Sequence, residues 1–327
     1  MEKRDVWFLE MDNILIPLDR VYRIGKNYDI DIPVDRIENF QVDINHINAT
    51  LRFVSSNVED NHSVVYMPEN IDEPFIMSCY KDNPILLNGK LILTSFLMEN
   101  DVLKIDGYGK TNFKKPFIVK KKSPLQKDGL KAMLVGAVDQ KNIPGYENSV
   151  HAFRGTLLDK GARPENIQTY LDYDAQRFNI RDGLERLIDG SNYSDTTFFY
   201  FNGHGDEKGI YLSGYDSLDT NSFYKLFNQI KGKNVVVVDC CNSKNFVEGL
   251  DSSAYFFGAS IRMAYSQEYQ FNLGNFTRLF LQMINKKDFI DLADIREDDI
   301  NSKLSALNST DDVRAQRVYF KGPSLYL

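Results

Sequence analysis

Two runs of this chain end in side chains capable of nucleophilic chemistry. Residues 198–205 read FFYFNGHG, an apolar run that stops at Gly203, His204 and Gly205. Residues 235–243 read VVVVDCCNS, a second apolar run that stops at Asp239, Cys240 and Cys241. A thiolate is a strong nucleophile, and an adjacent imidazole can take the thiol proton and return it to a leaving amine. The two groups must meet at one substrate atom, which neighbouring strand ends allow although His204 and Cys241 are 37 residues apart. Gly205 leaves room for substrate and frees a backbone N–H for a developing oxyanion, with the N–H of Cys241 as a second donor. Side chains alternate along a strand, so only one of Cys240 and Cys241 can face a cleft. Each residue alone has a bland reading, a small buried thiol or a turn histidine. The conjunction of the two at strand ends of one sheet favours a reactive site.

The elements that must hold these groups follow from the surrounding pattern. From Lys131 onward, strand-like and helix-like segments alternate. AMLVGAV, IQTYL, TTFFYFNG, NVVVVDCC and SAYFFGAS read as strands, and SVHAFRGTLLDKG, FNIRDGLERLIDG, NSFYKLFNQIKG and GNFTRLFLQMINKK as helices. Unbroken Val and Phe runs fit strands buried on both faces of a mostly parallel sheet, with helices on both sides. Sites in such sheets lie beyond the carboxyl ends of the strands, where His204 and Cys241 fall.

Residues 1–112 read as an all-β sandwich of short alternating strands, from DVWFLEM to DVLKID, with turn residues between them. Asn88-Gly89, between ILL and KLIL, is its clearest hairpin signal. Residues 113–130 are rich in Lys, contain two prolines and read as a linker between this unit and the α/β domain, 131–327.

Composition narrows the class. The chain has 327 residues, is 43% hydrophobic and 26% charged, and carries a net charge of −7, so a nucleic-acid partner is not expected. Three cysteines do not suggest a disulfide framework and fit a reducing compartment. The first residues, MEKRDVWFLEMDN, carry charges where a signal peptide needs an apolar core, and no run is long enough to span a membrane. The expectation is a soluble, cytoplasmic protein with no membrane partner.

The region from Lys131 to the end resembles the caspase-like cysteine peptidases, metacaspases in particular. AMLVGAV is similar to their first core strand, and GYENSVHAFRGTLLDKGA to the segment and helix after it. FFYFNGHG resembles the strand ending in Ser-Gly-His-Gly, with Asn202 in place of Ser. VVVVDCCNS is similar to Asp-x-Cys-x-Ser, LGNFTRLFLQMI to the Gly-x-Phe-Thr helix and AQRVYFKGPSLYL to the closing strand. The resemblance implies a cysteine endopeptidase acting on protein or peptide substrates, with Cys241 as nucleophile, His204 as general base and Cys240 at a variable position. It also implies that Asp239 lies on the S1 floor, where a carboxylate pairs with an Arg or Lys side chain. Ser149 stands where the family carries a second acid, and Glu147 is the nearest carboxylate in sequence.

The N-terminal unit resembles a forkhead-associated domain, the phosphothreonine-binding sandwich. YRIGKNYDIDIPVD is similar to its Ile-Gly-Arg segment, DNPILLNGKLI to Asn-Gly-Thr-x-Val-Asn-Gly and DVLKIDG to Asp-x-Ile-x-Ile-Gly. By that resemblance Lys26 and Asn83 lie on a binding face for a phosphoprotein partner. Asp43 replaces the hydroxyl that precedes His46 in the motif and would repel a phosphate, which leaves a sandwich for protein contact as the alternative use. A regulatory or recruiting module is expected.

No Cys/His spacing suggests zinc, with His46 and His62 read as structural, and no cofactor is required. Calcium enters only as the activator common in the family, with Asp288, Asp291, Asp294, Asp298 and Asp299 as an acidic stretch that reads equally as a solvated helix face. An acidic pocket would make Lys114, Lys115 and Lys120–Lys122 candidates for self-cleavage. The competing function is a caspase-like scaffold without turnover, suggested by Ser149 and Asp43.

Overall fold

The structure is a computed structural model and describes residues 5–18, 21–25, 50–54, 63–66, 73–78, 85–92, 94–105, 116–137, 146–260, 273–286, 297–307 and 317–322. Lys26, Asp43, His46, His62, Asn83, Lys114, Lys115, Asp288, Asp291 and Asp294 lie outside these residues.

The N-terminal strands are β1 (Val6–Met11), β2 (Ile14–Pro17), β3 (Val21–Gly25), β4 (Thr50–Val54), β5 (Ser63–Tyr66), β6 (Phe75–Ser78), β7 (Ile85–Leu87), β8 (Lys90–Ile92), β9 (Thr94–Phe96), β10 (Val102–Ile105) and β11 (Phe117–Lys122). They form a six-stranded sheet, β2-β1-β11-β10-β7-β8, and a five-stranded one, β4-β3-β5-β6-β9. Pairing is antiparallel except between β3 and β4. The β7–β8 turn is at Asn88 and Gly89, both with positive φ (52° and 79°), as that dipeptide favours.

The Lys-rich stretch expected as a linker is not simply a connection, because it contains β11. This strand pairs with β1 along Ile118–Lys122 and with β10 at Phe117 and Ile118. The lysines mask a period-2 pattern, since Phe117 and Val119 point into the core. Lys121 and Lys122 also lie over the Trp7 and Phe8 rings, at 5.3 and 6.0 Å from the centroids, so their charges stay near solvent above aromatic surface.

The α/β unit contains β12 (Leu130–Ala137), α1 (Tyr146–Asp159), β13 (Ile167–Leu171), α2 (Arg177–Asp189), β14 (Thr196–Gly203), β15 (Gly209–Tyr211), β16 (Ser217–Asp219), α3 (Thr220–Phe227), β17 (Lys233–Asp239), β18 (Tyr255–Ser260), α4 (Asn275–Asn285), α5 (Glu297–Leu307) and β19 (Arg317–Lys321). Its sheet runs β13-β12-β14-β17-β18-β19, parallel except for β19 against β18. The order reverses direction at β12, which opens a crevice at the carboxyl ends beside β14. Period-2 alternation divides the central strands cleanly. Tyr200, Val235 and Val237 join the core under α1 and α4, while Phe199, Val236 and Val238 join the core under α2 and α3.

The N-terminal sheet is not a separate bead. Its core residues share one buried cluster with α1, α4 and one face of the α/β sheet. Helix α1 is buried along nearly its whole length, and at Gly155 its backbone meets the Leu15 carbonyl of β2 with no room for a side chain. Gln282 and Asn285 of α4 donate to the Asp12 and Asn13 carbonyls at the β1–β2 turn, at 3.1 and 2.7 Å. Among the described residues, no helix is long and apolar enough to cross a membrane.

Candidate active site

The parallel register of β14 and β17 ends at Asn202 opposite Asp239. His204 and Cys241 each stand two residues beyond that pair, past the last residues of their strands, Gly203 and Asp239. Asp239 faces the side of the sheet covered by α4, where it meets Thr277. Cys240 lies on the opposite side. It is 2% exposed and packs in the core under α2 and α3, whereas Cys241 is partly exposed. Burial, with the Asp239 charge adding to it, pushes the Cys240 thiol well above its usual range. That thiol donates to the Cys241 carbonyl at 3.2 Å.

Gly205 fits against this turn closely. A side chain there would meet Cys240 Sγ and the Cys241 carbonyl oxygen. Residues 204–206 pair antiparallel with β15 through a bridge between Gly205 and Ile210. Its hydrogen bonds come from Asp206 N–H to the Gly209 carbonyl, 3.0 Å, and from Tyr211 N–H to the His204 carbonyl, 2.9 Å. That pattern leaves the Gly205 N–H directed away from β15.

Asp239 is fully buried. Its Oδ2 accepts from the Thr277 hydroxyl, 2.6 Å, and the Thr277 N–H, 3.3 Å, in the first turn of α4. The helix N-terminus therefore compensates a carboxylate with no access to water. The Thr277 hydroxyl, having donated to Asp239, accepts from the Tyr200 hydroxyl at 2.8 Å. Tyr200 in turn accepts from Asn202 Nδ2 at 3.2 Å, and its burial pushes the phenol pKa up. The Ser149 hydroxyl accepts from the Gly274 N–H at 3.2 Å. Ser149, where the family resemblance led one to expect a second acid, is thus tied to the same helix start that holds Asp239.

Glu147 lies in the first turn of α1 and is buried. The Tyr146 hydroxyl lies 3.1 Å from Glu147 Oε1 and also hydrogen-bonds Asp172, and burial followed by these two charges pushes Tyr146 up. The Tyr146 hydroxyl thus stands between the Glu147 and Asp172 carboxylates. Ser243, the last residue of the Asp-x-Cys-x-Ser match, is buried and donates to the Ala259 carbonyl of β18, which anchors the turn after Cys241.

The polar network of Tyr200, Asn202 and Thr277 was not expected from the residues alone. Its signal was present in the Gly-x-Phe-Thr match, whose threonine is the group that bonds Asp239. Among the described residues, no group of three or more His, Cys, Asp or Glu could hold a metal ion.

The family model described as Caspase domain matches residues 130–314, more than half of the chain and nearly the whole α/β unit. No curated protein matches the chain. By the extent of that match, the chain belongs to the caspase-domain family.

Proposed function

We propose that the protein is a cysteine endopeptidase in which Cys241 is the nucleophile and His204 the general base. The observation that carries this reading is that His204 and Cys241 each follow by two residues the paired ends of neighbouring parallel strands, with Cys241 partly exposed and Cys240 buried in the opposite core. The Cys241 sulfur attacks the scissile carbonyl carbon while its proton passes to His204. The N–H groups of Gly205 and Cys241 receive the developing oxyanion. His204 gives the proton to the leaving amine, and a water activated by His204 then hydrolyses the acyl-enzyme.

The reading extends to a metacaspase-like preference for Arg or Lys before the scissile bond, supported by the Asp239 carboxylate at this end of the sheet, with Glu147 as the second acid. The N-terminal unit serves as a regulatory or partner-recruiting module of forkhead-associated type, with Lys26 and Asn83 on its binding face. Calcium is a proposed activator on family resemblance alone, and the cytoplasm the proposed location. One observation favours a second reading, a scaffold without turnover: Asp239 already satisfies the start of α4, which weakens its pull on a substrate cation.

Cleavage of Arg and Lys peptides decides between them. Cys241→Ala and His204→Ala each lower kcat/KM by about three orders of magnitude or more, since both act in one unit. Cys240→Ala stays within a few-fold of wild type. Loss of activity in the Cys240 variant alone overturns the assignment, and a wild type that cleaves nothing and shows no His204-dependent thiol labelling favours the scaffold.

A further inference from the structure

The chain beyond His204 builds a second, small sheet whose exposed face continues from the imidazole. β15 and β16 form a two-stranded antiparallel sheet in which Gly209 pairs with Asp219, Ile210 with Leu218 and Tyr211 with Ser217, and residues 204–206 join its edge through a single antiparallel bridge, Gly205 to Ile210. Directly opposite residues share a face. One face carries Gly205, Ile210 and Leu218, and the last two are buried in the core under α2 and α3. The other face carries His204, Tyr211 and Ser217 in one cross-strand row, and Asp206, Gly209 and Asp219 in the next.

A cavity of about 170 Å³ opens here, lined by Asp206, Lys208, Gly209, Tyr211, Ser217 and Asp219 together with the buried Ile210. Gly209 contributes no side chain between the two carboxylates. Tyr211 is 41% exposed, and its orientation is fixed by its hydroxyl, which donates to Asp206 Oδ2 at 2.7 Å. Asp206 Oδ1 accepts from the Lys208 and Gly209 N–H groups, and Asp219 Oδ1 from the Ser222 N–H at the start of α3. The carboxylates are therefore held in place while lining an open cavity. The neighbouring cations, Lys208 and Arg177, are both exposed.

We propose that this face is the subsite for the leaving side of the substrate, with Tyr211 as its wall, and that it takes a long basic side chain on one of the first two residues after the scissile bond. The proposal rests on the peptidase reading above. A general acid must touch the leaving amine, so the residues after the scissile bond emerge beside His204. Cross-strand neighbours stand about 5 Å apart, and an extended peptide advances about 3.3 Å per residue, which places the Tyr211 row within reach of those two residues. The ring covers the aliphatic stem of a Lys or Arg, and Asp206 and Asp219 face its charge.

Two assays on the full chain test this. In the first, the Cys241→Ala protein is titrated with peptides that model the released fragment, Lys-Ala-Ala-Ala and Glu-Ala-Ala-Ala. The Lys peptide binds at least about tenfold more tightly, the effect of one charge-assisted hydrogen bond. Adding Tyr211→Ala, or Asp219→Asn, which keeps the cap of α3, lowers that ratio to below about threefold. Equal binding of the two peptides, or a ratio unmoved by both variants, overturns the proposal. In the second, wild type cleaves peptides with a fixed basic residue before the bond and Lys, Ala or Glu after it, and kcat/KM follows the order Lys, Ala, Glu. Cleavage without that order overturns the subsite and leaves the peptidase reading intact. Selective binding that responds to both variants, with no cleavage, sustains the surface and overturns the peptidase reading.

Discussion

At the scale of single residues, two adjacent cysteines just past the end of β17 have different surroundings, Cys240 buried and Cys241 partly exposed. Cys240 lies under α2 and α3, where burial and then the Asp239 charge both favour the neutral thiol. A raised thiol pKa means less thiolate at any working pH, and burial removes access as well. Iodoacetamide at pH 8 is therefore expected to alkylate Cys241 and leave Cys240 unmodified in the folded protein. Fragment spectra of the peptide spanning Asn234–Lys244, which break the chain between the two cysteines, read the outcome directly. Modification of Cys240 first contradicts the placement of the two side chains. Alternation in an unbroken Val run made it legible that only one of the two neighbours could face a cleft, and the Asp-x-Cys-x-Ser resemblance pointed to Cys241. Thr277 was not legible in the same way. Its hydroxyl matters only once α4 is seated with its first turn on Asp239, a contact between residues 38 apart.

At the scale of elements, the site depends on how the start of α4 meets the end of β17. The Asp239 carboxylate has no exposure to water, so its charge is balanced by the Thr277 hydroxyl, by the Thr277 N–H and by the helix dipole. Thr277→Val keeps the shape and removes the hydroxyl, which weakens the balance at Asp239 and leaves the Tyr200 hydroxyl without this acceptor. The expected cost is about 2–3 kcal/mol, the range for a buried hydrogen bond to a charged group. Thr277→Ser is expected to restore most of it. Urea denaturation measures both, and a Val variant as stable as wild type contradicts the load assigned to this contact. The hairpin after His204 behaves differently with pH. Asp206 is held below the usual carboxylate range, chiefly by the Tyr211 hydroxyl, so what it contributes is complete above about pH 4 and fades as pH falls through its lowered folded value. The strands visible in the sequence were those with long apolar runs, such as β14 and β17, or clear turn chemistry, such as Asn88-Gly89. β15 and β16 escaped because three residues carry too short a pattern, and β11 because its lysines read as solvent-facing while their stems lie on aromatic rings.

At the scale of the molecule, the N-terminal sheet and the caspase domain are expected to unfold together. Domains joined by small polar interfaces move and melt independently, while large apolar interfaces couple them. Here a single buried cluster runs from β1 and β2 through α1 into the α/β sheet, and α4 is bonded to the β1–β2 turn by Gln282 and Asn285. Calorimetry of the full chain is expected to show one transition, and two separated transitions contradict the shared core. Gly155→Val tests the seam itself. The added side chain meets the Leu15 carbonyl, a backbone atom that cannot rotate away, so the cost is ~3 kcal/mol, at the upper end for an overpacked site. Because the first turn of α1 carries Ser149 and that of α4 meets Asp239, that substitution is also expected to lower the proposed peptidase activity before it unfolds the protein. The same coupling bears on self-cleavage. Lys120, Lys121 and Lys122 pair with Phe8, Trp7 and Val6 in the sheet, and a protease needs its substrate strand unpaired. Limited trypsin digestion of the folded chain is expected to spare these three lysines until the single transition is crossed. An early cut after any of them, with the remainder still folded, contradicts both the pairing of β11 and the unity of the core.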